Sequence, residues 1–201
     1  MSNKKDLLEQ LREEGVSDRI VDAFSRVDRE KFVPDPYKPE AYRNSPLPIG
    51  SGQTISQPST IAFMLQKLEV ENRQRILEVG SGSGYVLALL KELSPRGQIY
   101  GAERVQELAE RSRELLQEED NIHIFHTPED LGLWDRVPFD RILVSAAAER
   151  DIPVSLWRQL GAGGVIVCPV ENTIIKGRKD KEGRISTEEY PGFAFVPLII
   201  Q

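Results

Sequence analysis

From Arg75 to Val170 the chain alternates between two periods, and that alternation limits its fold more than any other feature. RILEVG (75–80), QIYGAE (98–103), IHIFHT (122–127), DRILVSAA (140–147) and VIVCPV (165–170) read as strands. YVLALLKEL (85–93), RVQELAERSRELLQEE (104–119) and PVSLWRQLGAGG (153–164) carry helical spacing, the last with a glycine stop. Strands separated by helices build a parallel sheet with right-handed crossovers. The alternation then stops. TIIKGRKDKEGRISTEEY (173–190) reads as a strand, a polar turn around Lys181 to Gly183 and more extended chain, and GFAFVPLII (192–200) as a further strand. A hairpin after five parallel strands implies an antiparallel strand near one sheet edge.

The N-terminal part is different. Leu7, Leu8 and Leu11 share a helical face that Gly15 ends. Ser17 is placed to cap a second helix burying Ile20, Val21, Phe24 and Val27. Residues 33 to 58 hold six prolines and two glycines, a density at which no regular element is expected. A long irregular segment in a compact domain points to function. Pro58 suits the first turn of a helix over 58–70, with Ile61, Met64, Leu65 and Leu68 inward.

The turn EVGSGSG (78–84) joins the first parallel strand to its helix. Glycines there let the backbone bend sharply and approach a ligand. Glycines fall at Gly80, Gly82 and Gly84, and the sixth position of a dinucleotide fingerprint is Tyr85. That disfavours a nicotinamide-dependent oxidoreductase, and without a following Lys-Ser or Lys-Thr there is no P-loop. Alternate glycines favour a nucleoside without a pyrophosphate. Glu103 ends the second strand, 19 residues after Gly84, where it can accept both ribose hydroxyls. With Glu78 before the turn, the pattern indicates S-adenosylmethionine, which leaves as S-adenosylhomocysteine. Ser81 and Arg104 belong to the same expected cofactor set. Adenine is expected near the end of the third strand, beside Glu129 or Asp130.

The other site signal is IGSGQTISQPST (49–60), which runs glycines and hydroxyls straight into a helix. Around it lie VDREKFVP (27–34), PLPIGSGQTISQP (46–58), PFDRILVSAAA (138–148), IPVSLWRQLGAGG (152–164) and FVPLI (195–199). With ILEVGSGSGYVLALL (76–90), these segments resemble the protein-L-isoaspartate (D-aspartate) O-methyltransferase family from about residue 15 onward. The resemblance implies an α/β fold of the class I methyltransferase (Rossmann-like) type. Its sheet would be doubly wound, mostly parallel and seven-stranded, with an antiparallel C-terminal hairpin strand and an N-terminal helical annex. One domain, 1–201, is expected, with annex and substrate loop in 1–57 and a cofactor-binding core in 58–201.

The implied reaction moves a methyl group to the α-carboxylate of an isoaspartyl residue in a damaged protein or peptide. A carboxylate is already nucleophilic, so position is what the enzyme must supply. Hydroxyls hold such a group without neutralising it; Thr54 and Ser56 offer them, and by resemblance Ser56 takes the family's catalytic position. The plainer reading of Ser56, a helix cap before Pro58, can coexist with that role. Ile55, Gln57 and Pro58 are expected along the methionine part of the cofactor. Pro48, Ile49, Gly50 and Gly52 on one side, and Val196, Pro197 and Leu198 on the other, are expected to border an extended substrate pairing strand against strand.

Three positions depart from the family pattern: Asn44 where aspartate is common, TPEDLG (127–132) without the usual first glycine, and PVEN (169–172). Rival readings are a methyltransferase for another carboxylate and an inactive cofactor-binding module. The net charge of −6 gives no footprint for nucleic acid or anionic membrane. No secretory or membrane-spanning run is visible, so the cytoplasm is expected, and without a long exposed apolar stripe a monomer. The single cysteine, Cys168, lies in an apolar run and reads as buried. His123 and His126 would face opposite sides of a strand, so no metal is expected. Trp134 is expected to pack under its loop, and the charge run at 176–184 to be solvated.

Overall fold

A computed structural model describes residues 3–199. Helices α1 (Lys4–Glu13) and α2 (Asp18–Arg26) bury Leu7, Leu11, Ile20, Val21 and Phe24 as their spacing requires. Gly15 turns the chain between them at φ +80°. Ser17 holds the N-cap position of α2, yet its side chain makes no cap bond; its N–H instead donates to Gln66 Oε1 at 3.1 Å.

The proline-rich stretch is more ordered than its composition suggests. A short 3-10 turn, Arg29–Phe32, leads into it, and it holds a second, Asp35–Glu40, and an antiparallel hairpin of β1 (Leu47–Gly50) and β2 (Gln53–Ile55). A two-stranded ribbon has outward-facing edges, so Pro48 fits opposite Thr54 despite its missing donor. Leu47, Ile49 and Ile55 turn inward and are buried, which sets the register.

Helix α3 (Pro58–Leu68) starts with proline at its first position, where the absent N–H has no intrahelical partner to lose. It ends at Glu69, in the left-handed region at φ +53°. Five parallel strands follow: β3 (Arg75–Val79), β4 (Gln98–Glu103), β5 (Ile122–His126), β6 (Phe139–Val144) and β7 (Leu160–Val170). They are joined through α4 (Tyr85–Leu93), α5 (Gln106–Leu115) and α6 (Val154–Gln159). β8 (Thr173–Lys179) and β9 (Ile185–Pro191) close the sheet antiparallel. The seven-stranded order is β5-β4-β3-β6-β7-β8-β9.

Two expected elements are corrected in their bounds. The helix at 153–164 stops at Gln159, and 160–164 already belong to β7. Gly161 lies against Phe139, where an added Cβ would meet the Phe139 carbonyl at 3.3 Å, so backbone packs on backbone where a helix would need room. The expected strand after residue 191 is a single bridge, Pro197 to Ala147, flanked by Ala147 N–H to the Val196 carbonyl (2.8 Å) and Leu198 N–H to the Ala147 carbonyl (2.7 Å). Ile200 of that stretch lies outside the described residues.

One sheet face is covered by α1 to α5, which share a core with Ile76, Ile99, Leu143 and Val167. Leu87, Leu89 and Leu90 of α4 are fully buried there, each contributing roughly 1.5–3 kcal/mol. The other face packs Leu77, Tyr100, Ile142 and Ile166 against Leu156 and Trp157 of α6 and Leu133 of the 127–138 loop. Trp134 does not pack beneath that loop but stands 45% exposed. Cys168 is buried and free. From β3 the chain winds one way to β4 and β5, then returns to place β6 on the other side of β3. The carboxyl ends of β3 and β6 therefore flank the topological switch point, the place where such sheets bind ligands.

Candidate active site

Gly80 and Ser145 are the first residues past β3 and β6 at that switch point. Ser145 N–H donates to the Val79 carbonyl at 2.9 Å, and Gly80 N–H to the Ala102 carbonyl at 2.8 Å. The turn then rises through Gly82 and Gly84, at φ +50° and +84°, a region L side chains rarely enter. A Cβ on Gly82 would sit 3.1 Å from Ile49 Cδ1, so the hairpin rests directly on the glycine turn.

Two buried carboxylates serve this turn differently. Glu103 Oε2 accepts from the Gly82 N–H at 2.7 Å and Oε1 from the Val105 N–H at 2.8 Å. Each oxygen keeps a lone pair free, and Glu103 lines the cavity above the turn. Glu78 Oε1 accepts from Ser145 Oγ at 2.7 Å, while Oε2 has no partner among the described residues. Burial, opposed by the Ser145 bond and aided by the charge of Glu103, pushes the Glu78 carboxyl up to about 8. Ser81 Oγ is also buried without a partner.

Three hollows meet here. The first is walled by Gly80, Gly82, Glu103, Arg104, residues 127–131 and residues 196–199, with Ile49, Gln53 and Thr54 above. The second lies between Pro46 and residues 192–196, floored by Thr54, Ser56, Gln57 and Thr60. A small recess joins them, lined by Thr54, Ile55, Ser56, Glu78, Ser81 and Gly82. Thr54 and Ser145 border all three.

Most of the expected residues converge. Glu78, Gly80, Ser81, Gly82, Glu103, Arg104, Glu129 and Asp130 line the first cavity or the joining recess, as does Ile55. Glu129 and Asp130 share one wall, so geometry does not choose between them. Gly84 caps α4 behind the turn, and Pro58 is buried at the start of α3 without lining a hollow. Gln57 faces the second hollow. Ile49 lies on the glycine turn, while Pro48, Gly50 and Gly52 stand on the exposed outside and tip of the hairpin and line none of the hollows. Val196 borders both larger hollows; Pro197 and Leu198 wall only the first.

Ser145 was not singled out from sequence. It falls inside the stretch read as a strand, DRILVSAA (140–147), whereas the strand itself ends at Val144. Asn44, read as a departure, caps α3: its Oδ1 accepts from the Ser59 N–H at 3.0 Å, and its Nδ2 lies 2.5 Å from Ser59 Oγ and 3.4 Å from Glu14 Oε1. His123 and His126 bond Gln98 and the Arg104 carbonyl, and no group of three metal-ligating side chains occurs among the described residues.

The pieces fit a nucleoside with a charged amino-acid tail. A glycine turn admits close approach, Glu103 has lone pairs for vicinal hydroxyls, and the unpartnered Glu78 Oε2 and Ser81 Oγ await polar partners. Comparison with known proteins agrees. A model of the family described as "Protein-L-isoaspartate(D-aspartate) O-methyltransferase (PCMT)" matches residues 2–201. A protein-L-isoaspartate O-methyltransferase of Ignicoccus hospitalis is 41% identical, covering 98% of this chain and 97% of the relative. One from Anaeromyxobacter dehalogenans is 44% identical over 92% and 91%. A crystal structure of a Plasmodium falciparum protein of the same description, in complex with S-adenosyl-L-homocysteine, superposes with a TM-score of 0.85 at 27% identity, covering 99% of each chain.

Proposed function

The chain belongs to the protein-L-isoaspartate (D-aspartate) O-methyltransferase family, and from that premise we propose how its residues carry the reaction. It is an S-adenosylmethionine-dependent enzyme that methylates the free α-carboxylate of L-isoaspartyl residues in damaged proteins and peptides, a repair activity. Bound at the glycine turn, the cofactor supplies a methyl group on an electron-poor sulfonium and leaves as S-adenosylhomocysteine.

The observation that carries the division of labour is the shared border at Thr54 and Ser145. Glu103 and the 127–131 wall hold the nucleoside end. Glu78 and Ser81 offer acceptors to the amino-acid end, and Gly80 and Gly82 let the backbone come close. Across the joining recess, Thr54 and Ser56 present hydroxyls that hold the substrate carboxylate without protonating it. No base is required, because the nucleophile is ionised at neutral pH. The residues contribute orientation, in-line approach and exclusion of water.

The substrate backbone lies in the second hollow in this reading. Ala194 and Phe195 make no backbone–backbone hydrogen bond among the described residues, so their N–H and C=O groups are available to an extended peptide. Main-chain pairing reads no side chains, which suits damage at varied sequences. Residues 1–57 act as the annex and loop of one domain. The acidic balance, −6, gives no electrostatic attraction for nucleic acid or anionic membrane. A cytoplasmic monomer is part of the same proposal; among the described residues no helix is long and apolar enough to cross a membrane.

A matched pair of peptides differing only in an isoaspartyl or aspartyl linkage tests the reading with labelled cofactor. Label should enter the isoaspartyl peptide alone. Equal labelling of both would remove the assigned specificity.

A further inference from the structure

Arg29 lies outside every hollow, yet it ties the site together. Its side chain is wholly buried, at 0% exposure. Nη2 donates to the Ser56 carbonyl at 2.9 Å and reaches the Ser45 carbonyl at 3.4 Å. Those carbonyls bracket the hairpin of β1 and β2, so one guanidinium closes the segment at both ends. The same group lies over the Tyr85 ring, 5.1 Å from its centroid. Tyr85 follows Gly84 directly and is itself held edge-on by Phe24 and Phe32. Arg29 thus touches the loop carrying Ser56 and the helix that begins at the glycine turn.

Its charge is otherwise unanswered. Nε and Nη1 have no hydrogen-bond partner among the described residues. Burial pulls its ionisation down to about 10, with Tyr85 alone opposing, and the group stays cationic at neutral pH. A buried charge without a counter-ion is costly, and a neutral donor would tie two carbonyls more cheaply. An anionic ligand docked beside Ser56 would change that balance.

We infer that Arg29 is a positioning residue for methyl transfer: it fixes the Ser56 hydroxyl against the glycine turn and sets, behind Ser56, a positive charge that the incoming carboxylate balances. The inference rests on the proposed reaction. Acting through the Ser56 backbone, Arg29 steadies the carboxylate without bonding to the attacking oxygen, so nucleophilicity is kept.

Arg29→Lys keeps the charge but loses the planar fork; Arg29→Gln keeps a donor but loses the charge. Both are assayed at saturating cofactor, below their melting temperatures, with isoaspartyl peptide. Arg29→Lys should lower kcat about tenfold with peptide KM nearly unchanged, as expected for slight misplacement. Arg29→Gln should lower kcat similarly and also raise peptide KM by about tenfold. S-adenosylhomocysteine affinity, by calorimetry, should stay within about twofold of wild type in both. Lower melting temperature with wild-type kcat and KM would overturn the inference, as would cofactor affinity falling in step with kcat. Should neither variant fold, Tyr85→Leu, which removes the ring beneath the guanidinium, decides on the same readouts: lowered kcat with retained cofactor affinity supports the role, and wild-type turnover overturns it. Failure of wild type to methylate the isoaspartyl peptide would instead strike the proposed function.

Discussion

Ser145 Oγ donates a 2.7 Å hydrogen bond to Glu78 Oε1, linking the ends of β6 and β3 beneath the point where the three hollows meet. The bond spans the switch point of the sheet. It anchors one oxygen of a carboxylate whose other oxygen is buried and unpartnered.

This pair gives the ligand-free protein a pH signature. Burial raises the Glu78 carboxyl to about 8 from an ordinary 4.5. The folded state then holds a proton that the unfolded state has released. The Glu78 contribution to stability is full below about 4.5, is lost as pH rises toward about 8, and is flat beyond. Melting temperatures of wild type and Glu78→Gln between pH 5 and 8.5 isolate it (~3.5 pH units). The wild type should lose stability relative to the variant as pH rises; parallel curves would refute the assignment.

Glu103 accepts two backbone N–H bonds as well as lining the cofactor cavity, so its replacements should act at two levels. Glu103→Ala leaves the Gly82 and Val105 donors unpaired, at about 1–3 kcal/mol each. Melting temperature and S-adenosylhomocysteine affinity should both fall, the latter by about a hundredfold. Glu103→Gln keeps one acceptor and should fall between. Unchanged affinity in Glu103→Ala would remove it from the cofactor site.

Asn44→Asp restores the residue common in the family but sets a carboxylate beside Glu14, whose Oε1 is now 3.4 Å from Asn44 Nδ2. It also deletes the donor facing Ser59 Oγ. Stability near neutral pH should drop by about 1 kcal/mol and recover in Asn44→Asp/Glu14→Gln. Denaturant midpoints for the two single variants and the double variant check this; purely additive effects would rule out the proposed coupling.

How far the sequence foretells this structure depends on what each segment must satisfy locally. β3, α4 and β4 obey strict periodicity, and their bounds match the expected ones to within a residue. The hairpin of Leu47 to Ile55 does not, because prolines hide a ribbon whose register is set by Ile49 and Ile55 burying against distant residues. Helix α6 is cut short by the pairing of Leu160 with Phe139, a long-range contact. The cofactor turn was legible because its backbone demands glycine. Ser145 and Arg29 were not: a serine in an alanine run and an arginine in a charged segment read as generic until topology places them. The Ser17 side chain illustrates the converse, a well-placed cap residue whose hydroxyl makes no cap bond.

The central claim is that Thr54 and Ser56 handle the substrate carboxylate while leaving the cofactor to the glycine turn. The most direct measurement pairs kcat on an isoaspartyl peptide with S-adenosylhomocysteine affinity in Thr54→Ala and Ser56→Ala. Each variant should lose about ten- to a hundredfold in kcat while its S-adenosylhomocysteine affinity stays within about twofold of wild type. Wild-type turnover in both, or turnover and cofactor binding lost together, would contradict the account.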